Sequence, residues 1–114
     1  MKIALKRVYV APGKSDGCRV LVDRLWPRGV SKKSAKVDYW IKEVAPSATL
    51  RQWFAHDPAK WPEFKKRYFR ELKDNADGMK QIQSLAKQGK VTLLFGARDE
   101  KHNNAVALRT YLAR

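Results

Sequence analysis

The chain has little of what most metal, redox and disulfide chemistry needs: one cysteine, Cys18, and two histidines, His56 and His102, in 114 residues. A lone cysteine excludes an intrachain disulfide. With so few thiol and imidazole groups a closed zinc site is unsupported, and no metal is expected. Long apolar runs are missing too, since none reaches the roughly 20 residues of a spanning helix. The opening MKIALKRVYVAP lacks the extended apolar segment and small-residue cleavage site of a signal peptide, so the cytoplasm is the expected compartment and no membrane partner is expected. The Walker loop, G-x-G-x-x-G and the G-x-S-x-G elbow are all absent, which leaves P-loop, dinucleotide and α/β-hydrolase chemistry without a sequence basis. No cofactor follows from the residues present.

Acidic residues are also scarce. Eleven carboxylates face 25 lysines and arginines, giving a net charge of +14. A positive field of that size attracts anions, so two partner classes follow: a small anionic ligand, or nucleic acid held without sequence preference. The cations are scattered, and the densest cluster, Lys65-Lys66-Arg67, is short. Charge alone therefore defines no face.

What the chain does have is apolar material in the right amount for one core. Hydrophobic residues make up 44% of it, with four Trp, four Tyr and four Phe. At this length one domain is expected, burying roughly 65% of its unfolded surface. Residues 3–10 read as a first strand, closed by the turn signal Pro12-Gly13. The run Val20-Leu21-Val22 is continuous and β-branched, as in a strand buried on both faces, and Asp23 stands at its end. Pro27 and Gly29 mark the following loop. Residues 38–45 fit a helical stripe or a strand, and the strand is the expectation. Ser47 is placed to cap a short helix through about Phe54. Trp61, Phe64, Tyr68 and Leu72 recur at steps of three or four, which predicts a helix with an aromatic inner face. After the interruption DNADG, residues Met79, Ile82, Leu85 and Ala86 mark a helix that stops at Gly89. A second apolar run, 91–95, switches to helical spacing at Ala105, Leu108 and Leu112. Strands alternating with helices predict a single compact α/β domain over residues 1–114, three layers deep, with a mainly parallel sheet flanked by helices.

Ligands of open parallel sheets collect beyond the carboxyl ends of the strands. Two polar loops leave predicted strands there: DRLWPRG, with Asp23, Arg24, Trp26 and Arg28, and ARDEKHNNA, with Asp99, His102, Asn103 and Asn104. Arg24 and Arg28 can fork onto carboxylate or phosphate oxygens, and Trp26 can wall the site. His102 exchanges a proton near neutral pH, with Asp99 or Asp23 to orient it. Asn103 and Asn104 donate and accept at once, which suits reading a polar heterocycle or sugar. Each group also has a plainer use. Asp23 can hold loop amides or pair with Arg24, Asp99 is a candidate N-cap, either asparagine can serve the helix start, and His56 reads as a turn residue.

The segments RVLVDRLWPRGVSK, DYWIKEVAPSATLRQWF, HDPAKWPEFKKRYFREL and VTLLFGARDEKHNNAVAL, in that order, resemble the YeaO-like family. These are small bacterial proteins within a larger group of domains of unknown function. The resemblance covers nearly the whole chain and implies a compact α/β domain. It also implies an aspartate and arginines after an early strand, here Asp23, Arg24 and Arg28, and a polar strand-to-helix junction near the C-terminus. Other branches of the group place cysteines and a Cys-His-Arg run at that junction. This chain has Phe95-Gly96 and His102-Asn103-Asn104 instead, and Cys18 lies elsewhere, so a thiol mechanism does not carry over.

The resulting expectation is a domain that binds a small anionic, nucleotide-like ligand between the two loops, with hydrolytic or transfer chemistry left open. The alternative is a basic nucleic-acid-binding or accessory module without catalysis.

Overall fold

Four short segments pair in one direction: β1 (Ile3–Arg7), β2 (Cys18–Leu21), β3 (Tyr39–Trp40) and β4 (Val91–Phe95) form a parallel sheet in the order β1-β4-β2-β3. The computed structural model describes residues 2–114. With a strand on each side, β4 is buried along its length, which is why VTLLF carries no charge. Side chains alternate across it. Leu93 and Phe95 join Val20 and Val22 on one face, while Leu94 joins Leu21 on the other.

Among the described residues five α-helices accompany the sheet: α1 (Lys32–Ala35), α2 (Ala48–Phe54), α3 (Trp61–Lys73), α4 (Ala76–Gln88) and α5 (Asn104–Leu112). Helices α2 to α5 bury one face of the sheet, through Leu50, Phe64, Tyr68, Ile82 and Leu108 among others. The opposite face is covered by Ala35 of α1 with the loop residues Trp26, Val30 and Val37, so the third layer is thin. The aromatic stripe of α3 is core: Phe64 and Tyr68 are fully buried, and the Tyr68 hydroxyl donates to the Val44 carbonyl. Burying side chains of this size is worth about 1.5–3 kcal/mol each. Among the described residues no helix is long and apolar enough to cross a membrane.

Three boundaries differ from the sequence expectation. β1 ends at Arg7, not at residue 10. Val8 still donates to Phe95 O at 2.8 Å, but β4 stops there, and Tyr9 and Val10 go on without a partner strand. The expected strand over 38–45 shrinks to Tyr39–Trp40, because its partner β2 ends at Leu21; a 3-10 turn, Lys42–Val44, follows. DNADG does not precede α4 but begins it: the Asn75 side chain accepts from Gly78 N–H. Gly78 packs so closely on Val44 that a Cβ there would lie 2.8 Å from Val44 Cγ1.

A charged cluster seals the start of β2. Asp16 and Arg19, both nearly fully buried, pair at 2.6 Å, and Lys6 Nζ reaches the same carboxylate at 2.8 Å. The Lys6 ammonium, helped by Gly13 N–H and Arg19, holds the Asp16 carboxyl down at about 2. Gly17, at φ 66°, lets the chain turn into β2 against Lys90, whose carbonyl would lie 2.3 Å from an added Cβ.

Candidate functional site

Because the four strands run the same way, their C-terminal ends open on one side, into a cleft of about 690 Å³. Every strand exit contributes to its walls. Tyr9 follows β1, residues 23–28 follow β2, Pro46, Arg51, Phe54 and His56 follow β3, and Gly96, Ala97 and residues 102–104 follow β4. The two loops singled out by sequence do meet. Asp23, Arg24, Trp26, Arg28, His102, Asn103 and Asn104 all line this cleft.

Asp99 stands behind His102 rather than in the cleft wall. Its Oδ2 lies 2.9 Å from His102 Nδ1, and its Oδ1 accepts the backbone N–H groups of Lys101 (2.9 Å) and His102 (3.0 Å). Those bonds, Lys101 N–H first and the imidazole next, hold the Asp99 carboxyl below its ordinary range. The expectation that Asp99 caps the last helix is corrected. Asn103 is the N-cap of α5, accepting from Val106 N–H at 3.0 Å, while Asp99 caps the turn before it. Since a carboxylate only accepts, the Nδ1 side of His102 is the donor to Asp99, and Nε2 is the ring nitrogen that Asp99 does not engage. The Trp61 ring meets the imidazole edge-on at 5.4 Å and fixes its plane.

Asp23 is the keystone of the cleft floor. Its Oδ2 accepts from Gly96 N–H at 2.8 Å and its Oδ1 from Asn104 Nδ2 at 3.1 Å; the same amide donates to Val22 O at 3.0 Å. Burial pushes the Asp23 carboxyl up, against the pull of these two donors and of the Arg51 charge. The Asn103 amide is likewise engaged, its Nδ2 donating to Asp99 O at 2.9 Å. Trp26 is pinned by its indole N–H on Val30 O at 2.7 Å.

Arg24 does not pair with Asp23. Its Nη2 donates to Ala45 O at 3.3 Å and its Nε is buried without a partner. Arg51, which sequence reading passed over, is in the same condition: it lines the cleft and its Nε is buried and unpartnered. Among the described residues neither guanidinium forms an ion pair. A buried donor left unmade costs about 1–3 kcal/mol, so two on one cleft wall are not a neutral feature. Arg51 is carried by α2, whose N-cap Ser47 donates its hydroxyl to Glu71 Oε2 at 2.6 Å and accepts from Leu50 N–H at 3.1 Å. No spacing in the sequence marks this arginine; only the docking of α2 beside the strand exits brings it in. His56 stands in the turn after α2, as its place before Asp57-Pro58 implies, and it also lines the cleft. Ala55 and His56 hold φ of 48° and 56°, two successive left-handed residues that are not glycine. Among the described residues no group of three or more His, Cys, Asp or Glu is placed to hold a metal ion.

No solved structure gives a significant match to the chain. Uncharacterized protein YeaO of Escherichia coli (strain K12) is 39% identical over 112 residues, 98% of this chain and 97% of that one. An uncharacterized protein of Mycobacterium tuberculosis (strain H37Rv) is 38% identical over 111 residues, 97% and 93% of the two chains. A family model described as "Inactive DUF488-N3 subclade" matches residues 2–114. The chain is therefore YeaO-like throughout its length and belongs to the inactive N3 subclade of the DUF488 family.

Proposed function

We propose that this protein binds a small anionic, nucleotide-like ligand in the cleft at the strand exits and does not turn it over. One observation carries the reading: Arg24 and Arg51 line the same cleft, each with a buried Nε–H that no protein group accepts. Apart from the Arg24 Nη2 bond to Ala45 O, the terminal Nη groups of both arginines are also free of acceptors among the described residues, and a phosphate offers enough oxygens for both forks; the Nε–H groups, enclosed in this structure, join it if the side chains turn toward the cleft. Arg28, exposed at the mouth, adds a third cation. The cleft is of ordinary size for a small-molecule site, and Trp26, Phe54 and Phe64 give it apolar walls for a ring. The subclade's description as inactive favours retention without turnover. Titration calorimetry with inorganic phosphate, then with nucleoside monophosphates, tests the reading. Saturable one-to-one binding is expected in the wild type, weakened about 10- to 100-fold in Arg51→Gln, the worth of a charge-assisted hydrogen bond. Equal affinity in both proteins contradicts it.

A second reading, hydrolytic or transfer chemistry, is favoured by the His102–Asp99 pair at 2.9 Å, an arrangement suited to taking up a proton at Nε2. A phosphoester hydrolysis rate above background that disappears in His102→Gln supports it. No rate with a ligand shown to bind decides for binding alone.

A further inference from the structure

Around the cleft mouth lie large apolar side chains that the core does not use. Tyr9 is 48% exposed, Leu25 68% and Trp40 36%. Single exposed hydrophobics are ordinary, but Tyr9 and Leu25 line the cleft, Trp40 lies against Trp26 of its wall, and each exposed aromatic carries a cation. The Arg7 guanidinium lies over the Tyr9 ring at 5.1 Å, and Lys42 Nζ over the Trp40 ring at 5.2 Å. Both rings are anchored to the walls of the cleft: the Tyr9 hydroxyl donates to Arg28 O at 3.2 Å, and the Trp40 indole N–H donates to Asp23 O at 2.8 Å.

Their positions follow from the strand order. Tyr9 leaves the outer strand β1 and its ring reaches in beside Gly96 at the exit of β4, while Trp40 ends β3 at the other outer edge. Two to three inter-strand spacings separate those places, roughly 10 to 14 Å, which is the reach of a few nucleotides. A positively charged groove with aromatic platforms beside it is the arrangement that holds a single-stranded nucleic acid, its phosphates on the cations and its unpaired bases on the rings. The net charge of +14 supplies the long-range attraction.

Resting on the reading of the cleft as an anion site, we infer that its ligand is a stretch of single-stranded nucleic acid crossing the C-terminal edge of the sheet. One phosphate sits between Arg24 and Arg51, and neighbouring bases stack on Tyr9 and Trp40. Lys42, flexible and exposed, leaves the Trp40 ring for a backbone phosphate as a base takes its place.

Fluorescence anisotropy with labelled oligothymidylate and oligouridylate of about fifteen nucleotides, a site-sized length, tests this beside a blunt duplex of equal length and a mononucleotide. Single strands are expected to bind more tightly than the duplex and than the mononucleotide, with affinity falling steeply as salt rises. Trp40→Ala is expected to lose about 5- to 100-fold for the single strand, the range of one stacked base, with mononucleotide affinity unchanged. Because Trp40 also packs on Trp26, Lys42→Ala serves as the variant that leaves the packing intact; its expected signature is a salt slope shallower by about one. Single strands that bind no better than the mononucleotide overturn the inference and leave the anion site standing. So does a duplex that binds as well, or unchanged binding in both variants. Failure of the mononucleotide and the single strands together overturns both.

Discussion

The Asp23 carboxylate accepts a 2.8 Å hydrogen bond from the Gly96 N–H, joining the exit of β2 to the exit of β4 across 73 residues of chain. Its other oxygen takes the side chain of Asn104, the first residue of α5. One side chain thus ties together the two loops that line the cleft. Asp23→Ala is expected to lower unfolding stability by about 1–3 kcal/mol, the cost of stranding buried donors, and to weaken ligand binding by loosening the cleft floor. Urea unfolding checks the first part; an unchanged midpoint assigns the floor to other contacts.

Acid titration separates Asp16 from Asp23. The Asp16 carboxyl is held down at about 2, against an ordinary value of 3.8. A folded-state value below the unfolded one stabilises at higher pH. Its contribution is complete above about 3.8 and is lost as pH falls through about 2. Asp23 has the opposite sign: its carboxyl is raised by burial, so its ionisation opposes folding as pH rises above 3.8. Asp16→Asn should therefore flatten the loss of stability between pH 4 and 2. Asp23→Ala should leave that acid limb in place. Thermal melts across the range read both, and an unaltered acid limb in Asp16→Asn counts against the Lys6–Asp16–Arg19 cluster as its source.

Ala55 ends α2 at φ 48°, a place that glycine usually takes. Its methyl group costs about 1–2 kcal/mol in that conformation, while glycine frees the unfolded chain by about 0.4–1 kcal/mol. Ala55→Gly is expected to stabilise the protein by up to about 1.6 kcal/mol. A melting temperature lower than wild type would mean that the left-handed turn before His56 is held by contacts the methyl group makes.

Much of this architecture can be read from local pattern, because the pattern is what folds it. VTLLF is uncharged since both its neighbours are strands, and the steps from Trp61 to Leu72 match one face of α3. The same holds for Ser47, whose capping role needs only the residues after it. Features that depend on distant partners were not legible. The length of β3 is set by where β2 ends, at Leu21. Arg51 is the clearest case. It is one of 25 cations in the sequence, and only the lack of any acceptor at its buried Nε sets it apart.

Arginine side-chain NMR observes the two unpartnered guanidinium donors directly. With the Nε–H resonances of Arg24 and Arg51 assigned, inorganic phosphate or a nucleoside monophosphate is titrated into the protein. Saturable shifts of both resonances at one common midpoint, with the exposed Arg67 unmoved, are the predicted result. Resonances of Arg24 and Arg51 that stay fixed while the ligand binds elsewhere, or that move no more than Arg67, contradict it.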